Sequence, residues 1–151
     1  MKIKIKEMPI EDVLARPVGL HWNPVKPLGI FRLLLKLLSL PDLWATHFRY
    51  RVIGMERLEK GEPCLVLMNH SSFIDLKIAA AILYPRPFNT VCTSDGFVGK
   101  DWLMRAIGCI PTKKFVTDMA LVRDMLYAVR NLKSSVLLFP EASYRTAWGN
   151  A

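Results

Sequence analysis

Short apolar segments alternate with amphipathic segments along most of this chain, and this order limits the fold more than any other feature. The pattern predicts strands over residues 48–53, 64–68, 89–93, 109–111 and 135–139, and helices over 73–83, 100–107 and 118–132. Strands that alternate with helices of this length favour an α/β fold with a mostly parallel sheet flanked by helices. With 151 residues, the chain can bury the core of one such domain.

An amphipathic helix is predicted ahead of the sheet, over Leu28–Leu40 (LGIFRLLLKLLSL). Arg32 and Lys36 are four residues apart and share one side of it, the other sides are leucine-rich, and Pro41 is expected to end it. Such a helix is typical of a membrane surface, although it can equally bury its apolar side in its own domain. We divide the chain into an N-terminal arm and amphipathic membrane-associating helical segment, residues 1–47, and an α/β domain, residues 48–151.

The predicted helix is too short and too charged to cross a bilayer, which takes roughly 20 apolar residues. The N-terminus, MKIKIKEMPIEDV, has basic residues but lacks the apolar core and cleavage site of a signal peptide. We therefore expect a cytoplasmic protein.

The charge balance favours anionic partners. Lys and Arg number 21 against 13 Asp and Glu, for a formal net charge of +8. Nucleic acid, anionic lipid headgroups and phosphorylated substrates all fit that balance. No nucleic-acid-binding pattern is visible, so we expect no nucleic acid partner. The cysteines and histidines lack the spacing of a zinc site, and no G-x-S-x-G elbow indicates a serine hydrolase.

The segment Asn69–Asp75 (NHSSFID) carries the sharpest chemical signal. It follows a predicted strand and opens a predicted helix, which is where α/β proteins place their sites. A histidine is the natural general base near neutral pH, and a carboxylate can orient it. Residues five apart cannot face each other on a helix, so we expect His70 before the helix and Asp75 in its first turn, reaching back. The alternative is a capping box, with Ser72 as N-cap and Asp75 completing the helix start.

Two further segments follow predicted strands. In FPEASYR, Glu141 and Arg145 suit a hydroxyl-bearing phosphate substrate, because Arg binds phosphate through two parallel hydrogen bonds. In IPTKKF, Lys113 and Lys114 suit a phosphate at the start of a helix. Solvated charged turns are the alternative for both segments.

Taken together, these segments resemble the motifs of the glycerolipid acyltransferase family, which includes lysophosphatidate and glycerol-phosphate acyltransferases. NHSSFID resembles the first block, Asn-His-four residues-Asp. FPEASYR, about seventy residues later, resembles the third block, Phe-Pro-Glu-Gly-Thr-Arg-Ser. IPTKKF falls where the second block lies, and RVIGMERL resembles the strand that leads into the first block. The resemblance runs from about Phe48 to Arg145.

The resemblance implies acyl transfer from acyl-CoA or acyl carrier protein to the hydroxyl of a lysophospholipid such as 1-acyl-glycerol-3-phosphate, without a further cofactor or a metal. It implies that His70 is the general base and that Asp75 orients it. It also implies a role in phospholipid synthesis at the inner face of the cell membrane.

For the acceptor, the resemblance implies that Glu141 contacts a glycerol hydroxyl and that Lys113, Lys114 and Arg145 hold the phosphate. The third block departs from the family pattern in having Ala142 for Gly, Ser143 for Thr and Tyr144 for Arg. The second block has Lys for Arg, which removes the planar fork of donors. These departures leave the acceptor open.

The family's fourth block has no counterpart here, since twelve residues follow Phe139. We therefore expect a C-terminally truncated domain. The alternative function is an inactive remnant that binds lipid or a partner without catalysis.

Overall fold

The structure is a computed structural model that describes Glu11 and residues 22–70, 74–93, 100–112 and 119–140. The boundaries of the elements below refer to these residues.

A four-stranded parallel sheet forms the centre of the fold. Its strands are β1 (Leu65–Leu67), β2 (Phe88–Thr93), β3 (Cys109–Thr112) and β4 (Ser135–Leu138). Their order across the sheet is β1-β4-β2-β3, and every neighbouring pair is parallel. The predicted α/β class with a mostly parallel sheet is confirmed.

Helices cover both faces of this sheet. They are α1 (Gly29–Ala45), α2 (Ile74–Leu83), α3 (Asp101–Ala106) and α4 (Met119–Arg130), and a short 3₁₀ helix spans Met55–Arg57. These bounds agree with the predicted helices at 73–83, 100–107 and 118–132 to within two residues at each end.

Strand β4 explains why helices are needed on two sides. Val136 and Leu137 are both inaccessible to solvent, and consecutive residues of a strand point to opposite faces. Leu137 packs with Ala79 and Ala80 of α2, whereas Val136 packs with Ala128 of α4. A strand buried on both faces reads as a continuous apolar run, which is what the sequence has here.

The segment before β3 is fixed by the N-terminal arm. The indole nitrogen of Trp22 donates a 3.0 Å hydrogen bond to the carbonyl of Cys109, and the amide of Asn89 donates a 2.9 Å bond to the carbonyl of Val25. Gly108 has φ +89°, and a Cβ there would lie 3.0 Å from the Cγ of Pro27. The arm therefore lies close against the turn that leads into β3.

One predicted strand is absent, and another is less buried than its apolar sequence (CLVLM) predicts. Residues 48–53 form no strand, because their alternating side chains find no sheet to bury against, and Tyr50 and Ile53 stay exposed. The strand predicted at 64–68 exists as β1 but is not fully buried. It lies at the edge of the sheet beside β4, so Leu65 and Leu67 remain exposed.

The predicted end of the first helix is also wrong, since α1 continues past Pro41 to Ala45. Proline removes one backbone donor and normally ends or kinks a helix. Two contacts hold the final turn in place here. Leu43 is buried, and Asp42 forms an ion pair with Lys77 of α2.

Helix α1 turns its polar side toward the domain. Arg32 donates a 2.6 Å hydrogen bond to the carbonyl of Pro85, and the ammonium of Lys36 lies 4.2 Å from the centre of the Tyr84 ring. Ser39 is fully buried. The rest of the helix surface is largely exposed and apolar, and we call its large exposed side chains the outward face of α1: Ile30, Leu33, Leu34, Leu37, Leu38, Leu40 and Trp44.

Candidate active site

The site forms where β1 and β4 end side by side. Leu67 of β1 is in register with Leu138 of β4, and the amide of Met68 donates a 3.1 Å hydrogen bond to the carbonyl of Leu138. Because the two strands are parallel, the residues that follow them emerge at the same edge of the sheet. His70 follows β1 and Phe139 follows β4.

His70 and Asp75 are in direct contact. His70 lies before α2, Asp75 lies in the first turn of α2, and the Nδ1 of His70 is 3.0 Å from the Oδ2 of Asp75. This is the geometry that their spacing in the sequence predicts. An ionised carboxylate has no proton to donate, so the ring donates its Nδ1–H to Asp75 and leaves Nε2 with a lone pair. The arrangement can accept a proton at Nε2.

The two side chains differ in their access to solvent. The side chain of His70 is 22% exposed, whereas that of Asp75 is 8% exposed. A buried carboxylate behind a reachable imidazole is suited to general-base chemistry on a substrate outside. Ser72, which the capping-box interpretation needs, lies outside the described residues.

The ring of Phe139 stacks on the imidazole of His70. Their centres are 4.2 Å apart and their planes differ by 30°. In the sequence, Phe139 stands out only as the first residue of the FPEASYR segment. The available signal was its position directly after a strand, since His70 also lies shortly after a strand, β1, which is the neighbour of β4.

The remaining predicted site residues, Lys113, Lys114, Glu141 and Arg145, lie outside the described residues. The ends of the strands that precede them, β3 and β4, can still be compared. β3 ends at Thr112, and β4 is followed by Phe139 and Pro140. Strand β2 lies between β3 and β4, so the ends of those strands are about 10 Å apart at the usual strand spacing.

A second pair of ionisable side chains lies between β2 and β3. Cys109 is in register with Thr90, so Cys92 lies two residues further on the same face of the sheet. Interaction with the neighbouring thiol of Cys109, together with burial, raises the pKa of Cys92 well above its ordinary value. A small cavity lined by Trp22, Asp101 and Met104 adjoins both cysteines. β4 separates this pair from the strand that leads to His70.

Within the part of the chain that the structure describes, no group of three or more His, Cys, Asp and Glu side chains could hold a metal ion. In the same residues, no helix is long and apolar enough to cross a membrane.

A family model described as Acyltransferase matches residues 49–149, about two thirds of the chain. The chain belongs to the glycerolipid acyltransferase family. The matched region of this acyltransferase contains both His70 and Asp75, as well as the FPEASYR segment. No solved structure matches the chain significantly.

Proposed function

We propose that this acyltransferase moves a fatty acyl group from a thioester, acyl-CoA or acyl carrier protein, to the hydroxyl of a lysophospholipid such as 1-acyl-glycerol-3-phosphate. His70 is the general base in this proposal. The contact between its Nδ1 and the carboxylate of Asp75, at 3.0 Å, carries the proposal. That contact leaves the lone pair of Nε2 for the proton of an incoming hydroxyl.

The proposed reaction takes place in one active site without an acyl-enzyme intermediate. Nε2 of His70 takes the hydroxyl proton while the oxygen bonds to the thioester carbonyl carbon. The carbon–sulfur bond then breaks, and the leaving thiolate receives the proton from the imidazolium. Asp75 stabilises the imidazolium through Nδ1–H and does not itself take the proton.

The acceptor is proposed to be held by residues beyond the described ones. Glu141 contacts a glycerol hydroxyl, and Lys113, Lys114 and Arg145 hold the phosphate. Support comes from their residue types and from the β3 and β4 strands that precede them, which end at the same edge of the sheet as β1.

A matrix of donors and acceptors tests this function. Radiolabelled acyl-CoA and acyl carrier protein are each offered with lysophosphatidate, glycerol 3-phosphate and a phosphate-free monoacylglycerol. We expect labelled product with at least one phosphate-bearing acceptor and much less with monoacylglycerol. Labelled free fatty acid alone, from either donor, would make the protein a thioesterase and overturn the proposal.

We further propose that the protein works as a peripheral protein on the inner face of the cell membrane, with the outward face of α1 in contact with lipid. Seven large apolar side chains are exposed there, and the net charge of the chain is +8. An exposed apolar helix face on a protein of net positive charge suits an anionic bilayer. Phospholipid acceptors reside in such a bilayer.

The cations of α1 have a different role from the one that the sequence suggests. Arg32 bonds to Pro85 and Lys36 lies over the Tyr84 ring, so both hold α1 on the domain. The proposed membrane contact therefore depends on Leu37, Trp44 and their apolar neighbours.

A charge-matched pair of double variants tests the membrane contact. Leu37→Glu with Trp44→Glu changes two exposed side chains of α1, which are 54% and 82% exposed. Met119→Glu with Leu126→Glu changes two on α4, 73% and 46% exposed, and serves as the control. We expect the α1 variant to lose co-sedimentation with phosphatidylglycerol vesicles and the α4 variant to keep it. Equal binding by both variants would contradict the proposal.

The alternative is a protein that binds lipid or a partner without catalysis. The outward face of α1 favours it, because this surface does not involve His70. Vesicle binding without product in any donor and acceptor combination would support the alternative.

A further inference from the structure

We propose that Phe139 is a positioning residue that holds the imidazole of His70 in the orientation needed for proton transfer, an inference that rests on the proposed role of His70 as base. The observation is the stack between the two rings, with centres 4.2 Å apart.

The stack and the hydrogen bond constrain the imidazole in different ways. The contact between Nδ1 of His70 and Oδ2 of Asp75 constrains one atom at the edge of the ring. A flat partner against the ring face resists a turn of the ring plane, because such a movement would break the face contact. The stack therefore contributes to where Nε2 points.

Phe139 is itself well held. It follows β4, the central strand between β1 and β2, and the preceding residue Leu138 accepts a hydrogen bond from Met68. Its side chain also packs against the core cluster on the α2 side of the sheet, which includes Leu137. The stacking partner therefore belongs to the rigid part of the domain.

The stack also acts during the reaction. When His70 takes a proton its ring becomes a cation, and the face of an aromatic ring attracts a cation. Phe139 and Asp75 therefore contact different parts of the imidazolium, one its face and the other its Nδ1–H.

Three variants separate the stack from ordinary packing. Phe139→Leu keeps an apolar side chain and removes the aromatic face. Phe139→Tyr keeps the face. Met55→Ala removes a side chain that packs against the same core cluster, without the ring contact to His70, and serves as the packing control.

We expect Phe139→Leu to lower kcat roughly tenfold to a hundredfold with KM changed less than about threefold, since misplacement of a catalytic group by about 1 Å costs rate rather than binding. Phe139→Tyr should stay within about threefold of the wild type, and so should Met55→Ala when rates are referred to folded protein. A loss in Phe139→Leu that appears only in KM, or that equals the loss in Met55→Ala, would overturn the proposal.

Nuclear magnetic resonance tests the stack without any substrate. The Nδ1–H of a histidine that donates to a carboxylate gives a far-downfield signal, and a stacked phenyl ring shifts the carbon-bound protons of the imidazole. We expect Phe139→Leu to broaden or lose the first signal and to move the second, and Phe139→Tyr to keep both. Unchanged signals in Phe139→Leu would overturn the positioning role, whereas an inactive wild type with the expected signals would instead count against acyl transfer.

Discussion

The His70–Asp75 pair and the Cys92–Cys109 pair each join two ionisable side chains, but the sheet places them differently. His70 and Asp75 meet beyond the end of β1, and the imidazole is partly exposed. Cys92 and Cys109 lie within β2 and β3, and Cys109 is buried. The His70–Asp75 pair can reach a substrate, whereas the Cys92–Cys109 pair faces the interior of the domain and the arm around Trp22.

The difference shows what makes a polar pair chemically useful. Asp75 leaves the reactive nitrogen of His70 with its lone pair, so the pair is ready to accept a proton. The contact with Cys109 and the loss of solvent raise the pKa of Cys92, which keeps the thiol protonated and a poor nucleophile. A contact between ionisable groups thus indicates a site only where it leaves a reactive atom accessible.

The largest difference in activity between variants of the two pairs is expected from Asp75→Asn. An amide in place of the carboxylate can hold the wrong tautomer of His70 and cannot stabilise the imidazolium, so kcat should fall about 10²–10⁴-fold. The control is Cys92→Ser, which alters the other pair and should leave kcat within about twofold. Acyl transfer assays on both variants check this. Similar losses in the two variants would remove the functional distinction between the pairs.

A smaller effect is expected on stability from Cys109→Ser. A buried thiol behaves as a small apolar group, and a hydroxyl in its place costs about 1–2 kcal/mol of unfolding free energy. The matched variant Cys64→Ser should cost less, because Cys64 is only partly buried and already lies 3.7 Å from the hydroxyl of Ser135. Denaturant unfolding of both variants measures the difference. An equal or larger loss in Cys64→Ser would contradict the packing role assigned to Cys109.

The smallest effect concerns the dependence of stability on pH. The raised pKa of Cys92 means that the folded state keeps its proton where the unfolded state releases it, above about pH 9. Stability should therefore be complete below that pH and decline as pH rises further. Between about pH 8 and 10.5, the free energy of unfolding should fall less steeply with pH in Cys92→Ala than in the wild type or in Cys64→Ala. The same pH dependence of the unfolding free energy in all three proteins would argue against a raised pKa of Cys92.

Much of the fold follows from local pattern. The apolar run at 135–139 predicts strand β4, and the spacing of five between His70 and Asp75 places one residue before α2 and the other within it. Such predictions succeed because the positions of strands and the starts of helices depend mainly on neighbouring residues in the chain.

The features that the sequence does not predict depend on contacts between residues that are distant in the chain. The alternation at residues 48–53 resembles a strand, but no strand pairs with it. The pattern of α1 identifies an apolar side and a polar side, yet contacts with distant residues such as Pro85 and Tyr84 determine that the polar side faces the domain. The stack of Phe139 on His70 joins residues that are distant in the chain and adjacent only because β1 and β4 pair.

The central claim is that His70 is the base of an acyl transfer reaction. The most direct measurement is the single-turnover rate of acyl transfer by wild type and His70→Ala, with the productive donor and acceptor and with folding checked by circular dichroism. The account predicts loss of at least about 10³-fold in rate for His70→Ala, with the fold retained. A folded His70→Ala protein that transfers acyl groups at the wild-type rate would contradict it.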